Sequence, residues 1–335
     1  MNKPANIKPD VLMEVRDLVC HFPVKRDGLF GKRRVAHAVN GVSLDLIAGE
    51  TLGLVGKCGC GKSTLGLLVL NLISPTSGSV LFRGQDITRT NKKEWRRLRS
   101  EMQLAFQNPL GALNPRRTIG AQIREPLDIH QLGDPADRHK TVLDMLEAVT
   151  LPEHLLERYP HQLSGGQQQR AVIARALIIG PQLLVCDESV SALDVSVQAQ
   201  VVNLLADLQK KLGLSYLFIS HDLSVVRHIS SRIAVMYLGR LVELADSEML
   251  IENPMHPYTR ALISAVPVPD PRARTSRATI GGEPPNPFNP PSGCAFYSRC
   301  PHADDKCRSL IPEFRQIGPQ HMVACHHAEA LAQTS

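Results

Sequence analysis

Short, uninterrupted apolar runs alternate with helix-like stretches along the first 265 residues. Thr51–Val55 (TLGLV), Leu183–Cys186 (LLVC), Ser215–Ile219 (SYLFI) and Ile233–Met236 (IAVM) read as strands. Their apolar continuity predicts burial on both faces, as in a parallel sheet covered by helices. Helical spacing follows several of them, over Lys62–Leu72, Val195–Leu212 and Leu223–Ile229. Such strand–helix alternation predicts a doubly wound α/β core. Between about residues 108 and 176 the pattern turns mostly helical, so a helical subdomain is expected to interrupt the sheet. After Val266 proline crowds the chain up to Pro291, which disfavours helix and sheet interiors alike. That segment reads as an extended connection into a small C-terminal module.

Composition narrows the class. A length of 335 residues fits about two domains, and 43% hydrophobic with 21% charged residues is ordinary for a soluble globular protein. No run approaches the roughly 20 apolar residues needed to span a bilayer. Met1–Asp10 lacks the apolar stretch of a secretory signal. The expectation is a chain that neither crosses a membrane nor carries that export signal. With 38 Lys+Arg against 32 Asp+Glu the net charge is only +6, and no nucleic-acid reader motif accompanies the basic clusters. Lys25, Arg26, Lys32, Arg33 and Arg34 read as a solvated hairpin excursion around Gly28 and Gly31. Lys92, Lys93, Arg96, Arg97 and Arg99 read as one exposed helix around Trp95. No nucleic-acid partner is expected.

Gly56–Ser63 reads GKCGCGKS, the G-x-x-x-x-G-K-[ST] phosphate loop, directly after an apolar strand and before a helix. The glycines (Gly56, Gly59, Gly61) let backbone N–H groups converge on phosphate oxygens, and the following helix turns its positive end toward them. Lys57, Cys58, Cys60 and Thr64 would line the same loop, Lys62 would neutralise β- and γ-phosphates, and Ser63 would ligate Mg²⁺. A second acidic motif, Asp187–Glu188, ends the LLVC strand. Alone, such a pair is more often a solvated strand end. Beside a phosphate loop, Asp187 fits a Mg²⁺ partner and Glu188 a general base for water.

Leu163–Gln167 reads LSGGQ ahead of a helix rich in Ala and Arg, with Ser164 as a candidate N-cap. Together with the phosphate loop, this sequence resembles the ABC-transporter ATPases over roughly residues 11–255. The fold expected is therefore a P-loop NTPase ABC cassette: a RecA-like core with an antiparallel β subdomain and a helical subdomain. Smaller elements fall in the family's order: Gln107 (FQNP) as the Q-loop, Ser191–Asp194 (SALD) as the D-loop, and His221 (ISHD) as the switch histidine. Phe22 occupies the place of the family's adenine-stacking aromatic, though an ordinary strand core residue would look the same. The resemblance implies ATP and Mg²⁺ as ligands, with Gln107 sensing metal and lytic water, and His221 holding the γ-phosphate. It also implies head-to-tail pairing of two cassettes. Ser164, Gly165, Gly166 and Gln167 of one subunit would then meet the ATP on the other's phosphate loop, with Asp194 nearby. The chain departs from the family's commonest wording at Lys57 and Cys58 (often Glu and Ser) and at Ser189 (often Pro). Backbone groups bind the phosphate, so a competent site is still expected.

Four of the eight cysteines, Cys294, Cys300, Cys307 and Cys325, fall within the last part of the chain, with His302, His321, His326 and His327 nearby. Cys58 and Cys60 read as fillers of a backbone-driven loop, and Cys20 and Cys186 as core. The clustered four provide soft ligands on loops. Disulfides do not suit a reducing compartment. Structural Zn²⁺ suits four thiolates but not this spacing, and a [4Fe–4S] cluster tolerates irregular spacing, so the residues leave both open. Asn253–Ala265 (NPMHPYTRALISA) and the GEPPNPFNPPSGCAFYSRC run resemble bacterial dipeptide and oligopeptide permease ATPases, their F-type branch above all. That resemblance implies a C-terminal extension over 256–335 with a four-cysteine [4Fe–4S] site. It further implies a peripheral subunit on the cytoplasmic face of the inner membrane that energises dipeptide uptake. Its partners would be a second, homologous ATPase subunit, two permease subunits and, indirectly, a solute-binding protein. The alternatives are a nickel-chelate, haem or oligopeptide system, a non-hydrolysing module, and a non-transport ABC ATPase acting on nucleic acid or ribosomes. The last usually carries tandem cassettes or a long coiled coil, and this sequence has neither.

Overall fold

The structure, a computed structural model, describes residues 10–24, 34–106, 109–189, 193–266, 281, 285–286 and 288–332. Its strands are β1 (Val11–Val24), β2 (Arg34–Ile47), β3 (Thr51–Val55), β4 (Ser77–Phe82), β5 (Gln85–Asp86), β6 (Met102–Ala105), β7 (Leu183–Asp187), β8 (Ser215–Ser220), β9 (Arg232–Tyr237), β10 (Arg240–Asp246), β11 (Arg315–Gly318) and β12 (His321–Val323). The helices of the first half are α1 (Lys62–Val69), α2 (Lys92–Glu101), α3 (Pro109–Ala112), α4 (Ile119–His130), α5 (Arg138–Ala148) and α6 (Gly165–Leu177). Those of the second half are α7 (Val195–Leu212), α8 (Leu223–Ile229), α9 (Ser247–Glu252), α10 (Pro257–Ser264), α11 (Asp305–Ser309) and α12 (Ala328–Ala332). An antiparallel four-stranded sheet has the order β2-β1-β4-β5, and an eight-stranded sheet the order β11-β12-β10-β9-β3-β8-β7-β6. Strands β9, β3, β8, β7 and β6 run parallel to one another, from the middle of the large sheet to its β6 edge.

The central strands are apolar throughout because they face two different cores. Leu183, Val185, Leu217 and Ile219 join one core with Leu65 and Leu68 of α1 and the small sheet. Leu184, Cys186, Tyr216 and Phe218 join the other with α4, α6 and α7. The two-residue period survives, but both of its faces are buried. Helix α1 stops at Val69 rather than Leu72, because Asn71 takes a left-handed backbone (φ 47°) and its amide donates to the Ile87 carbonyl at 2.7 Å. The mostly helical stretch holds α3–α6, packed as α4 on α5 and α6. Hairpin strands β1 and β2 flank residues 25–33, which lie outside the described residues with Lys25, Arg26, Lys32 and Arg33 of the basic cluster, while Arg34 opens β2.

The C-terminal residues continue the main sheet. Strand β12 pairs antiparallel with β10 (Glu243 opposite Val323, Leu244 opposite Met322), and β11 pairs with β12. A fully buried polar knot holds this edge. Glu243 accepts from the Met255 N–H (2.7 Å), the His256 N–H (3.0 Å) and His321 Nε2 (2.8 Å). One carboxylate thus ties β10, the turn before α10, and β12. Glu243→Ala is expected to lower the unfolding free energy by about 3 kcal/mol, the scale of leaving buried donors unsatisfied. A denaturation midpoint equal to that of the parent chain would contradict this.

Candidate nucleotide site

The phosphate loop leaves the C-terminal end of β3 and enters α1 at Gly61. Gly61 has φ +106°, and a Cβ there would fall 2.1 Å from the Ala38 carbonyl oxygen, so only glycine fits. Lys62 is buried and folds back, donating from Nζ to the Gly56 carbonyl (2.8 Å) and lying 3.8 Å from Glu188 Oε1. Ser63 Oγ donates to Asp187 Oδ1 at 2.9 Å, so the two expected Mg²⁺ partners already meet. Burial raises the Asp187 carboxyl above its ordinary value, against the opposing pull of that bond. Glu188 follows β7 in a left-handed conformation (φ 45°), with its N–H bonded to the Ile219 carbonyl at 2.9 Å. His221 follows β8 and brings Nδ1 to 3.6 Å from Glu188 Oε2. The exposed Cys58 thiol lies within 4.8 Å of both groups. Cys60, Cys20 and Cys186 are buried. Gly59 and Thr64 complete the loop and the first turn of α1.

The LSGGQ residues sit elsewhere. Ser164 caps α6: its Oγ accepts from the Gln167 N–H, while Gln167 Oε1 accepts from the Ser164 N–H, a reciprocal capping box. Gly165 and Gly166 form the first turn, and a Cβ on Gly166 would lie 2.6 Å from Val197 of α7. This helix end faces outward, and no hydrogen bond joins it to the chain's own phosphate loop among the described residues. Asp194 is exposed at the start of α7. Phe22 lies on β1, 41% exposed. Gln107 falls outside the described residues, as do Ser191 and Ala192 of the D-loop.

A cavity of about 1,080 Å³ opens beside the loop, lined by Gly56–Cys60 and His221 and, from later in the chain, by Tyr237, Leu262, Val266 and Arg299. Sequence reasoning missed this second wall. The Lys57 N–H donates to Tyr258 Oη at 3.0 Å, a contact across 201 positions. The signal that could have found it is the tyrosine itself, since a phenol buried in an apolar helix needs a polar partner.

The four clustered cysteines converge, but not as four loop residues. Cys307 sits inside α11, because Asp304 caps that helix by accepting from the Cys307 N–H at 2.8 Å. The Cys294 N–H donates to the Cys307 carbonyl at 2.8 Å. Burial, reinforced by the neighbouring thiols, pushes Cys294 and Cys325 up to about 11. No three of the four sulfurs lie within 4.8 Å of one another. Of the nearby histidines, His327 approaches a thiol, with Nε2 3.6 Å from Cys307 Sγ and 3.3 Å from Asp304. His321 is committed to Glu243, and His326 donates to the Leu310 carbonyl.

Residues 39–191 match the ABC transporter family, and residues 242–307 match the oligopeptide/dipeptide transporter C-terminal region. The oligopeptide transport ATP-binding protein AppF of Bacillus subtilis is 49% identical over 322 residues, 95% of this chain and 97% of its own length. The di/tripeptide transport ATP-binding protein DppF of Pseudomonas aeruginosa is 49% identical, covering 96% of this chain and 98% of its own. The chain belongs to the ATP-binding subunits of ABC-type oligopeptide/dipeptide transporters. Among solved structures, cbiO1 of Clostridium perfringens, part of the ABC transporter complex cbiONQ, has a TM-score of 0.63 at 26% identity, over 72% of this chain and 91% of its own. The dimeric ATP-binding cassette MJ0796, bound to ADP and Pi, has a TM-score of 0.63 at 26% identity, over 70% and 98%. The ABC cassette fold is thereby established for this family member. In it, Gly61→Ala is expected to abolish nucleotide binding, measured with a fluorescent ATP analogue, because the added methyl must displace backbone. Retained affinity would show that the loop adapts.

Proposed function

We propose that this chain binds and hydrolyses ATP to drive uptake of dipeptides or short peptides through separate permease subunits. The observation that carries the reading is the convergence of Lys62, Ser63–Asp187, Glu188 and His221 on one loop. Relatives named for peptide transport, similar along nearly their whole length, support the coupling. Backbone N–H groups of Gly59–Ser63 would cradle the phosphates, with Lys62 turning from the Gly56 carbonyl to the β- and γ-oxygens. Ser63, Asp187 and Gln107 would hold Mg²⁺, which would neutralise phosphate charge. Glu188 would take a proton from the attacking water as its oxygen bonds to the γ-phosphorus. The bond to the β-phosphate oxygen breaks, leaving ADP and phosphate, with His221 steadying the γ-oxygens.

The outward-facing cap of α6 suits a partner's nucleotide: Ser164–Gln167 would complete the site of a second, homologous subunit, with Asp194 at the seam. Phe22, exposed on β1, suits stacking on adenine. Partners would be that second ATPase, two membrane subunits and, through them, a solute-binding protein. The working position is the cytoplasmic membrane face. No helix among the described residues is long and apolar enough to cross a membrane. With its cognate subunits, Glu188→Gln is expected to keep ATP binding while hydrolysis falls at least about a hundredfold, the usual scale for a lost general base. Unchanged turnover would overturn Glu188's role.

For residues 256–335 we propose a small cysteine-bearing module whose Cys294, Cys300, Cys307 and Cys325 hold a [4Fe–4S] cluster. The four thiols act on one another electrostatically, which supports a shared site, and the tail's resemblance to peptide-permease ATPases favours the cluster over a single Zn²⁺. The cluster would staple a segment with a small core of its own, made by Met255, Val323, Cys325, Ala328 and Leu331. Anaerobically purified protein is expected to contain iron and acid-labile sulfide in equal amounts, lost on Cys→Ser substitution. Zinc without sulfide would sink the cluster.

A further inference from the structure

Lys57 is the second residue of the loop, and its two backbone groups do different jobs. Its N–H donates to Tyr258 Oη at 3.0 Å. Its carbonyl accepts from the Cys60 N–H (3.2 Å) and lies 3.4 Å from Lys62 Nζ. One peptide thus connects the tyrosine to the lysine that meets the phosphates. Tyr258 is fully buried, and desolvation holds its hydroxyl well above the ordinary phenol value, so it stays neutral.

The ring is clamped from two directions. Tyr237, at the end of β9, packs on it with centroids 4.6 Å apart. Phe296, 2% exposed, packs at 5.5 Å and meets Tyr237 edge-on at 5.3 Å. Phe296 lies between Cys294 and Cys300, and Arg299 in the same short turn donates to Tyr237 Oη at 3.4 Å. The cysteine-bearing turn therefore presses on the aromatic group that fixes the loop's second residue.

We propose that Tyr258 is a positioning residue for the phosphate loop, and that Phe296 makes ATP affinity depend on the docked state of the C-terminal segment. The inference rests on ATP binding at this loop, as proposed above. Fixing Lys57 before ATP arrives leaves less of the loop to order on binding. Removing the hydroxyl frees a partly buried N–H and lets the loop sample other conformations.

The test uses the full chain with its cognate subunits and a fluorescent, non-hydrolysable ATP analogue. Tyr258→Phe keeps the ring packing and removes only the bond. Its dissociation constant is expected to rise about fivefold, the scale of one net hydrogen bond. In turnover the change should fall more on KM than on kcat, which simple loss of stability does not produce. Phe296→Leu is expected to shift affinity in the same direction. The double variant should be no weaker than Tyr258→Phe alone, because both act through one contact. Unchanged affinity in Tyr258→Phe overturns the proposal, whatever its melting temperature. If that variant does not fold, unchanged affinity in Phe296→Leu overturns it instead. A Lys62→Ala chain that binds the analogue like the parent would overturn the nucleotide reading, and this inference with it.

Discussion

The register of three parallel strands governs the rest of the molecule. Val55 pairs with Ser220, and Asp187 with Ile219, so β3, β7 and β8 end at one level. The chain leaving each strand must therefore emerge at the same edge of the sheet. Gly56, Glu188 and His221 are the next residues out, and they meet although up to 165 positions separate them. A slip of one residue in β7 would exchange its two buried faces and withdraw Asp187 from Ser63. The same strands are apolar on both sides, so their burial in two cores makes that slip costly.

The edge of a parallel sheet concentrates charge in a low-dielectric setting, and this chain balances it internally. Lys62 is almost wholly buried, bound to a carbonyl and close to Glu188. Asp187, raised by burial, is steadied by Ser63. On the proposed function, phosphate and metal would take over contacts that Lys62 and Asp187 already make within the chain. Glu188 is held in a left-handed conformation by its N–H bond to β8, with its carboxylate between Lys62 and His221. The strain sits at the position proposed for the general base.

The C-terminal segment is joined to this machinery by burial rather than by sequence proximity. Strand β12 completes the sheet beside β10, Glu243 collects donors from three places, and Phe296 enters the main core. Such a segment cannot shift without disturbing α10, and α10 carries Tyr258.

Sequence alone determined the local chemistry: TLGLV–GKCGCGKS as strand and phosphate loop, LSGGQ as a capped helix start, Asp187–Glu188 at a strand end. Those features depend on residues within a few positions of one another, where glycine, capping and apolar periodicity act directly. Helices α7 and α8 were legible to the residue for the same reason, whereas α1 ended early because Asn71 reaches across to Ile87. Tertiary structure alone decided which of those local features meet. It brought Glu188 to Lys62 and His221, kept LSGGQ away from the chain's own loop, buried His321 against Glu243, and set Tyr258 on Lys57. Long-range pairing of that kind is fixed by how strands register and cores fill, and no short window of sequence contains it.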